Sequence, residues 1–283
     1  MNRFHRRHQV LPPRLVRKRR KKARGRALLF FAAAVALFLS AIFLFSRETF
    51  LIADISFSGP PHIDQAVLRE MTEEKLSGSY AHLISRSSIF FYPARDIEHS
   101  LLEAFPEVAS VRVGLRSLQS LSVTLQPREA VGQWCIDNPV SEGGVSEEPC
   151  FLFDADGFIF KEADASSEVG YPSFFGGEVS SDRPVGDIFL DSSRILNFLS
   201  LLSELAGVPV RVAKVHILEG GEAAVLLSGG ARLLFLEGAD VGAVVDNLKR
   251  LVSDRELVPR DGDTLSVEYI DLRFGNKVYV KPR

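Results

Sequence analysis

The side chains that could bind a metal ion are Asp154 and Asp156, directly before Gly157, and a few scattered histidines. Two aspartates at this spacing could begin a calcium loop, but the remaining ligand positions and the closing glutamate do not follow. The pair lies between the apolar runs 151–153 and 158–160, where Asp-Ala-Asp-Gly is typical of a hairpin turn. We therefore interpret these aspartates as turn residues.

Catalytic motifs are absent from the sequence. It contains no Ser-x-x-Lys, Gly-x-Ser-x-Gly, His-Glu-x-x-His or P-loop pattern, so neither the usual nucleophiles nor a phosphate-binding loop is indicated. The histidines beyond residue 46 are too far apart to form a local metal pair. They are His62, His82, His99 and His216. We expect no catalytic residue, no cofactor and no metal ligand.

The two cysteines, Cys135 and Cys150, flank a polar loop that contains Gly and Pro. They could face each other across the neck of a hairpin and form a disulfide, which would contribute about 3 kcal/mol in the chain-entropy model. The alternative is two unpaired, buried thiols, and the sequence leaves both open. Trp134, the only tryptophan, could be an exposed binding anchor, but its position between two predicted domains favours packing.

The C-terminal segment 266–283 offers main-chain binding chemistry. It predicts two strands joined by a Gly-containing turn, and the strand Lys277 to Lys281 would lie at the edge of a sheet. The N–H and C=O groups of an edge strand are unpaired, so an incoming segment can add itself as the next strand. The flanking lysines would discourage promiscuous pairing and suit an acidic partner.

Aromatic side chains of this hairpin divide into two groups. Tyr269 and Leu272 could belong to the core, whereas Phe274 and Tyr279 lie where an edge strand would expose them to a partner. The candidate partner-binding residues are Tyr269, Arg273, Phe274, Lys277, Val278, Tyr279 and Val280.

Residues 50–130 have the periodicity of a small β-α-α-β-β domain. Alternating apolar residues predict strands over 51–57, 111–115 and 121–125. Asp64 and Pro93 suit the starts of two helices, which would end near Leu76 and Phe105. The side chains expected on the buried helix faces are Val67, Leu68, Met71, Ile97, Leu101, Leu102 and Phe105. A three-stranded sheet covered on one face by the two helices would bury them.

Residues 131–283 predict a mixed, β-rich domain with two helices, so the fold class is α+β. The hairpin at 151–160 would be followed by a helix capped by Ser192 or Ser193. Strands are predicted over 212–218, 223–227 and 231–236, and Asp240 would introduce the last helix. The expected inward stripes are Ile195, Leu199, Leu202 and Ala206, then Val241, Val244, Val245, Leu248 and Leu251.

The N-terminus predicts a membrane anchor. Residues 1–26 contain twelve Lys or Arg and no acid, and residues 27–46 are uncharged and would span about 30 Å as a helix. A basic flank before such a span holds the N-terminus in the cytoplasm, so the rest of the chain would lie outside it. A cleavable signal peptide is the competing interpretation, but no small-x-small site is present around Ser46. The basic tail could instead bind nucleic acid or anionic lipid.

The net charge of the chain beyond the basic tail argues against anionic ligands. The chain has 34 basic and 36 acidic residues, so without the tail 22 basic residues face 36 acids, a net charge of about −14. An acidic body of this kind lacks the cationic footprint that phosphate binding needs. We therefore expect no nucleic acid as a ligand.

The segment FPEVASVRVGLRSLQSLSVTLQPREAVGQW, residues 105–134, resembles the POTRA domain of the bacterial cell-division family FtsQ/DivIB. The family's Pro-x-Val step is matched by Pro106 and Val108. Its Arg-x-x-Val-Ala-x-Trp ending is matched by Arg128, Val131, Gly132 and Trp134. Two departures are Pro127, where the family usually has Glu, and Ala130, where Pro is common. The C-terminal hairpin, with Tyr-Ile-Asp-Leu-Arg at 269–273, is very similar to that of the family.

The resemblance covers about the whole chain and implies a non-catalytic division scaffold in the bacterial cytoplasmic membrane, located at the septum. Its partners would be the single-pass coiled-coil proteins of the FtsB and FtsL kind, and through them the septal peptidoglycan synthase. The predicted organisation is a cytoplasmic tail at 1–26, one transmembrane helix at 27–46, a POTRA-like domain at 50–130 and a β-rich domain at 131–283. The alternatives are a POTRA-containing transport or secretion component and, less favoured, a cell-wall enzyme.

Overall fold

The chain divides into two units, residues 1–101 with 111–125 and residues 102–110 with 126–283. The computed structural model describes residues 25–38, 40, 48–81, 84–136, 149–163, 170–177, 179, 183–254, 260–261, 264–275 and 277–283. Each unit is considered by itself below.

Residues 25–38 and residue 40 are helical, and this first helix is called α1. Among the helices that the structure describes, none combines the length and the apolar character that crossing a membrane requires. The predicted transmembrane helix over residues 27–46 is therefore wrong. Residues 1–24, 39 and 41–47, which include most of the basic tail, lie outside the described residues.

Residues 48–127 form a small sheet with two helices, after a short 3₁₀ turn at Glu48–Phe50. In chain order the elements are β1 (Asp54–Ser58), α2 (Gln65–Leu76), β2 (Ser79–Tyr80), β3 (Ile84–Ser85), α3 (Ala94–Ala104), β4 (Val108–Ser117) and β5 (Ser120–Pro127). The sheet order is β1-β5-β4, with β1 parallel to β5, and β2 pairs with β3 in a separate two-stranded hairpin. The short β2–β3 hairpin between the helices had no clear periodicity in the sequence.

Caps and apolar stripes explain the two helices of this sheet, with two corrections. Asp64 caps α2 by accepting a hydrogen bond from Ala66 N (2.8 Å), as expected. Val67 and Leu102, which were expected to be buried, are 42% and 36% exposed. Successive helix residues lie about 100° apart, so the residue beside a fully buried one, such as Leu101, turns toward the helix edge.

The second unit contains a mixed, nine-stranded sheet with two helices. Its elements are β6 (Gly132–Cys135), β7 (Cys150–Phe153), β8 (Ile159–Glu162), β9 (Ser173–Gly176), α4 (Ser192–Leu205), β10 (Val212–Ile217), β11 (Glu222–Leu227), β12 (Arg232–Leu236), α5 (Val241–Ser253), β13 (Arg260–Asp261), β14 (Thr264–Leu265), β15 (Val267–Phe274) and β16 (Lys277–Pro282). The strand order is β16-β15-β12-β11-β10-β9-β6-β7-β8, and β13 pairs with β14 separately.

Two helical crossovers explain the mixed sheet. Strand β10 is parallel to β9, and β15 is parallel to β12. Parallel neighbours need a long connection, which α4 and α5 supply for these two pairs. Strand β6 is also parallel to β9, and the β7–β8 hairpin lies between them in the chain. Both helices contribute to one core with the sheet. The core's fully buried residues include Phe153, Phe174, Phe189, Ile195, Leu233 and Leu248.

The inward stripe of α4 differs from the predicted one. Its buried residues are Ile195, Phe198, Leu201 and Leu205, while the expected Leu199 and Leu202 are only partly buried. The helix offers two apolar stripes, and aromatic contacts decide between them, because Phe198 packs against Phe174 and Phe235 at centroid distances of 5.8 and 6.0 Å. The N-cap is Asp191, which accepts hydrogen bonds from Ser193 N and Arg194 N, rather than Ser192 or Ser193.

Helix α5 follows its prediction more closely. Asp240 caps it by accepting from Ala243 N at 2.9 Å. Val244, Val245 and Leu248 are buried as expected, together with Val252, whereas Leu251 is partly buried.

Candidate functional site

The strand β16 is the open edge of the nine-stranded sheet. It is last in the strand order, and within the described residues it pairs with β15 alone. The turn that precedes it contains Gly275, whose φ of +63° is a left-handed conformation that glycine adopts without steric cost. Asn247 on α5 donates a hydrogen bond to Gly275 O (3.3 Å), which ties the turn to the helix.

The opposite edge of the sheet is covered where β8 begins. Along β8, Ile159 N donates to Asp187 O (2.9 Å) and Gly186 N donates to Ile159 O (2.8 Å). An isolated bridge also joins Phe158 to Ile188. These bonds use main-chain groups that an added strand would need, so the two edges are not equivalent.

The side chains of β16 alternate between the core and the solvent. Val278 and Val280 pack against the core. Because successive side chains of a strand point to opposite faces, Lys277, Tyr279 and Lys281 point away from the core. All three of these side chains are exposed. The edge therefore presents a lysine, a tyrosine and a lysine at alternate positions.

Two exposed aromatic rings stand beside the turn. Phe274 is 53% and Tyr279 is 51% exposed, and their ring centroids are 5.3 Å apart in an edge-to-face arrangement. Leu272 is buried, as a core residue should be, and Tyr269 is partly buried. The exposed pair has the composition of a protein-binding anchor, since aromatic residues dominate interface energetics.

Arg273 is engaged within the sheet. Its Nε and Nη2 donate to the two Asp271 carboxylate oxygens at 2.9 and 2.7 Å, and Nη1 donates to Glu222 at 2.6 Å. These hydrogen bonds hold the pKa of Asp271 below its usual value and raise the pKa of Arg273. The ion pairs brace β15 against β11, and a partner-binding role for Arg273 stays a prediction.

A second ion cluster lies near the other end of β16. Lys281 Nζ is 2.7 Å from Glu268 Oε2, and Arg232 Nη2 is 3.4 Å from Glu268 Oε1. The hydrogen bond between Lys281 and Glu268 lowers the pKa of Glu268 and raises that of Lys281. Sequence reasoning missed Glu268 and Arg232, because the two are 36 residues apart and only the parallel pairing of β12 with β15 brings them together.

Cys135 and Cys150 form a disulfide across β6 and β7. The two residues are directly opposite in the antiparallel register, with Cα atoms 4.1 Å apart. Trp134, the preceding residue, is 4% exposed and donates Nε1–H to Gly176 O at 2.8 Å, so it is a packed residue. The loop between the cysteines, residues 137–148, lies outside the described residues.

Asp154 serves its hairpin turn, as predicted. Its Oδ1 accepts hydrogen bonds from Asp156 N (2.9 Å) and Phe158 N (3.1 Å), and its Oδ2 forms an ion pair with Arg128 Nη1 at 2.5 Å. The Arg128 guanidinium also lies 4.1 Å over the Phe158 ring. The arginine of the family-like motif therefore holds a turn in place.

Other candidate chemistry is limited. His216 stacks on Phe175 at a centroid distance of 5.0 Å, and the part of the chain that the structure describes contains no group of three or more His, Cys, Asp or Glu placed to hold a metal. A cavity of about 500 Å³ lies beside α4. Its lining is mainly apolar and shares no residue with the β15–β16 hairpin, so we place the candidate site at the sheet edge.

Comparison with known proteins does not identify a family. No family model matches the chain, and no curated protein matches it. The assignment of function therefore depends on the residues and the geometry described above.

Proposed function

We propose that this chain is a non-catalytic scaffold of the bacterial division machinery, which binds other division proteins outside the cytoplasm and links them to septal peptidoglycan synthesis. The observation that carries the proposal is the open edge at β16, together with the similarity of the sequence around 269–281 to the FtsQ/DivIB hairpin. The start of β8, at the opposite edge, already has main-chain partners, which favours β16 as the edge for strand addition.

Strand addition is the binding mode that fits this edge. A partner segment would form main-chain hydrogen bonds along β16, which supply affinity, while alternate side chains supply specificity. Phe274 and Tyr279 would be the aromatic anchors, since both are half exposed and packed on each other. The partners we propose are single-pass coiled-coil proteins of the FtsB and FtsL kind, and through them the septal peptidoglycan synthase.

The disulfide supports an extracytoplasmic location. Cys135 and Cys150 are joined, and disulfides persist in oxidising compartments outside the cytoplasm. Mass analysis of the protein isolated with its thiols blocked should find the bridge formed in the native cell. Two free thiols in that protein would contradict this location.

A proline scan of β16 tests the proposed mode. Residues 279–281 are in unbroken register with β15, so the N–H groups of Tyr279 and Val280 point in opposite directions, one inward and one toward the open edge. Tyr279→Pro and Val280→Pro therefore form a pair, and Tyr279→Ala is the control for loss of the aromatic ring. The outward substitution should abolish capture of the partner's extracytoplasmic segment without unfolding the protein, whereas the inward one should damage the sheet.

The scan is read as a pull-down beside circular dichroism of each full-length variant. Phe274→Ala should weaken capture by about 2 kcal/mol, because it removes an exposed aromatic anchor. If every folded variant, including both proline substitutions, binds with unchanged affinity, strand addition at β16 is wrong.

Fluorescence imaging tests the cellular role separately. A fluorescent fusion of the full chain should concentrate at midcell in dividing cells. A signal spread evenly along the cell would contradict the division role and favour a transport or secretion component.

A further inference from the structure

The two lysines that point outward from β16 differ in their electrostatic surroundings. Lys281 is neutralised by Glu268 at 2.7 Å. Lys277 is exposed, and within the described residues it has no carboxylate partner. Among the described residues, the positive charge of Lys277, at the end of the strand next to the turn, is therefore uncompensated.

The other cation of the β15–β16 hairpin beside the turn, Arg273, is already engaged. Arg273, four residues earlier, directs three of its nitrogens to Asp271 and Glu222. A partner carboxylate would have to displace these short bonds to reach it. Lys277 can accept a carboxylate without breaking any contact, so it is the better receptor for a negative charge.

Lys277 and the exposed aromatic pair form one surface. Lys277 lies opposite Phe274 in the hairpin register, and Tyr279 follows Lys277 on the same face of the strand. Side chains of an added strand would also alternate, so residues two apart in that strand would lie beside Lys277 and Tyr279. The edge thus offers a charge contact and an aromatic contact at a fixed spacing of two residues.

We propose that β16 selects an extended peptide segment with an acidic residue beside Lys277 and an apolar or aromatic residue two positions away, beside Tyr279 and Phe274. This inference rests on the proposed function, because it requires that β16 binds a strand. An acidic residue of the partner beside Lys281, at the other end of β16, would bind less favourably, because the Glu268 carboxylate there would repel it. Because the charge of Lys281 is neutralised and that of Lys277 is not, the incoming segment should bind in the register that places its acidic residue beside Lys277.

Selection from a displayed library tests the inference without knowing the partner. The full-length protein is immobilised, and random ten-residue segments displayed on phage are selected on it. We expect enrichment of an acid and an apolar or aromatic residue spaced two apart. Lys277→Ala should remove the preference for the acid, and Lys277→Glu should replace it with Lys or Arg. Lys281→Ala is the matched control and should leave the preference unchanged.

A double-mutant cycle measures how much the contact between Lys277 and the acidic residue of the segment contributes to the affinity. The best selected segment is synthesised with its acid and with Gln in that place, and both are titrated against the wild type and Lys277→Ala. The wild type should bind the acidic segment about two- to fivefold more tightly than the Gln segment, and Lys277→Ala should bind both equally. This difference should shrink at high salt, because the pair is exposed.

The outcomes separate this inference from the proposed function. If no segment is captured, or if the outward proline variant of β16 captures segments equally well, strand addition itself fails. If capture depends on β16 but shows no acid preference, or a preference that Lys277→Ala does not change, only the present inference fails. A dimer of the chain that the outward proline variant dissolves would make a second copy the occupant and would also overturn it.

Discussion

Asp271 and Arg273 show how charged residues can stabilise a sheet from within. Asp271 is 5% exposed and receives three hydrogen bonds from Arg273, one from its main-chain N–H and two from its guanidinium. The remaining guanidinium nitrogen, Nη1, donates to Glu222 on β11. Removing one partner of such a pair leaves the other charge poorly compensated. The pair therefore belongs to the architecture that holds the hairpin and its exposed aromatics in position.

The lowered pKa of Asp271 predicts a pH dependence of stability. The pKa is lower in the folded than in the unfolded chain because of the Arg273 hydrogen bonds, so the ion pair contributes fully above the unfolded pKa. That contribution should be lost as the pH falls from about 4 through the folded pKa. In urea titrations between pH 7 and 2, Asp271→Asn should be less stable at pH 7 and should lose less stability on acidification. Parallel curves for the two proteins would contradict this account.

Gly157 is a residue whose replacement the backbone should not tolerate. Its φ is +75°, and a Cβ atom there would lie 1.9 Å from Leu190 O. We expect Gly157→Ala to lower the free energy of unfolding by about 2 kcal/mol or more. Gly238→Ala is the control, because nothing lies within 4 Å of its Cβ position, and it should change stability by less than about 1 kcal/mol. Equal midpoints in thermal unfolding would show that the turn has relaxed around the new side chain.

At the scale of elements, helix α3 illustrates how one apolar run divides between core and surface. Leu101 is fully buried, and Leu102, beside it, is 36% exposed. Both are leucines in the same turn of the helix, so they differ mainly in burial. Comparing the effect of alanine at each position on the free energy of unfolding therefore shows how much burial of the side chain contributes to stability.

Leu101→Ala should cost about 2 to 5 kcal/mol, since it leaves a cavity in a packed site. Leu102→Ala should cost less than about 1 kcal/mol, as is usual for a partly exposed position. Both values come from chemical denaturation of the full chain. If Leu102→Ala lowers the free energy of unfolding by more than this, another surface must cover this helix face in solution.

For the molecule as a whole, the disulfide is the covalent restraint on the second unit. Cys135 and Cys150 are 15 residues apart in sequence and join β6 to β7. In the chain-entropy model, closing a loop of this length stabilises the folded state by about 3 kcal/mol.

Cys135→Ser with Cys150→Ser should therefore lower stability by about 3 kcal/mol relative to the oxidised protein. Thermal unfolding provides the measurement, with the reduced wild type as the control. The reduced protein and the double variant should unfold at similar temperatures, and oxidation should raise only the midpoint of the wild type. A bridge that leaves the midpoint unchanged would contradict the entropic argument.

Local sequence patterns were enough to predict most elements. Alternating apolar residues located the strands at 111–115, 121–125, 223–227 and 231–236, and Asp64 and Asp240 marked two helix starts that the structure confirms. These signals involve residues two to four positions apart, whose relation is set by strand and helix geometry alone. The Asp154 turn follows from the same local rules.

Two predictions from local sequence patterns were wrong, one for the N-terminal helix and one for the buried face of α4. The apolar run at 27–46 predicted a membrane-spanning helix, but none of the helices that the structure describes is long and apolar enough to cross a membrane. On α4, two stripes were equally apolar, and Phe174 and Phe235, from other parts of the chain, decided which one faces inward.

Strand order, and with it the candidate site, came only from the tertiary structure. The sequence suggested that the last strand is an edge, but it could not show that the start of β8 is covered at the opposite edge. Nor could it show that Glu268 neutralises Lys281, while Lys277 has no carboxylate partner in the part of the chain that the structure describes. Such relations join residues that are distant in sequence, and they exist only once the two crossover helices have set the order in which the strands pair.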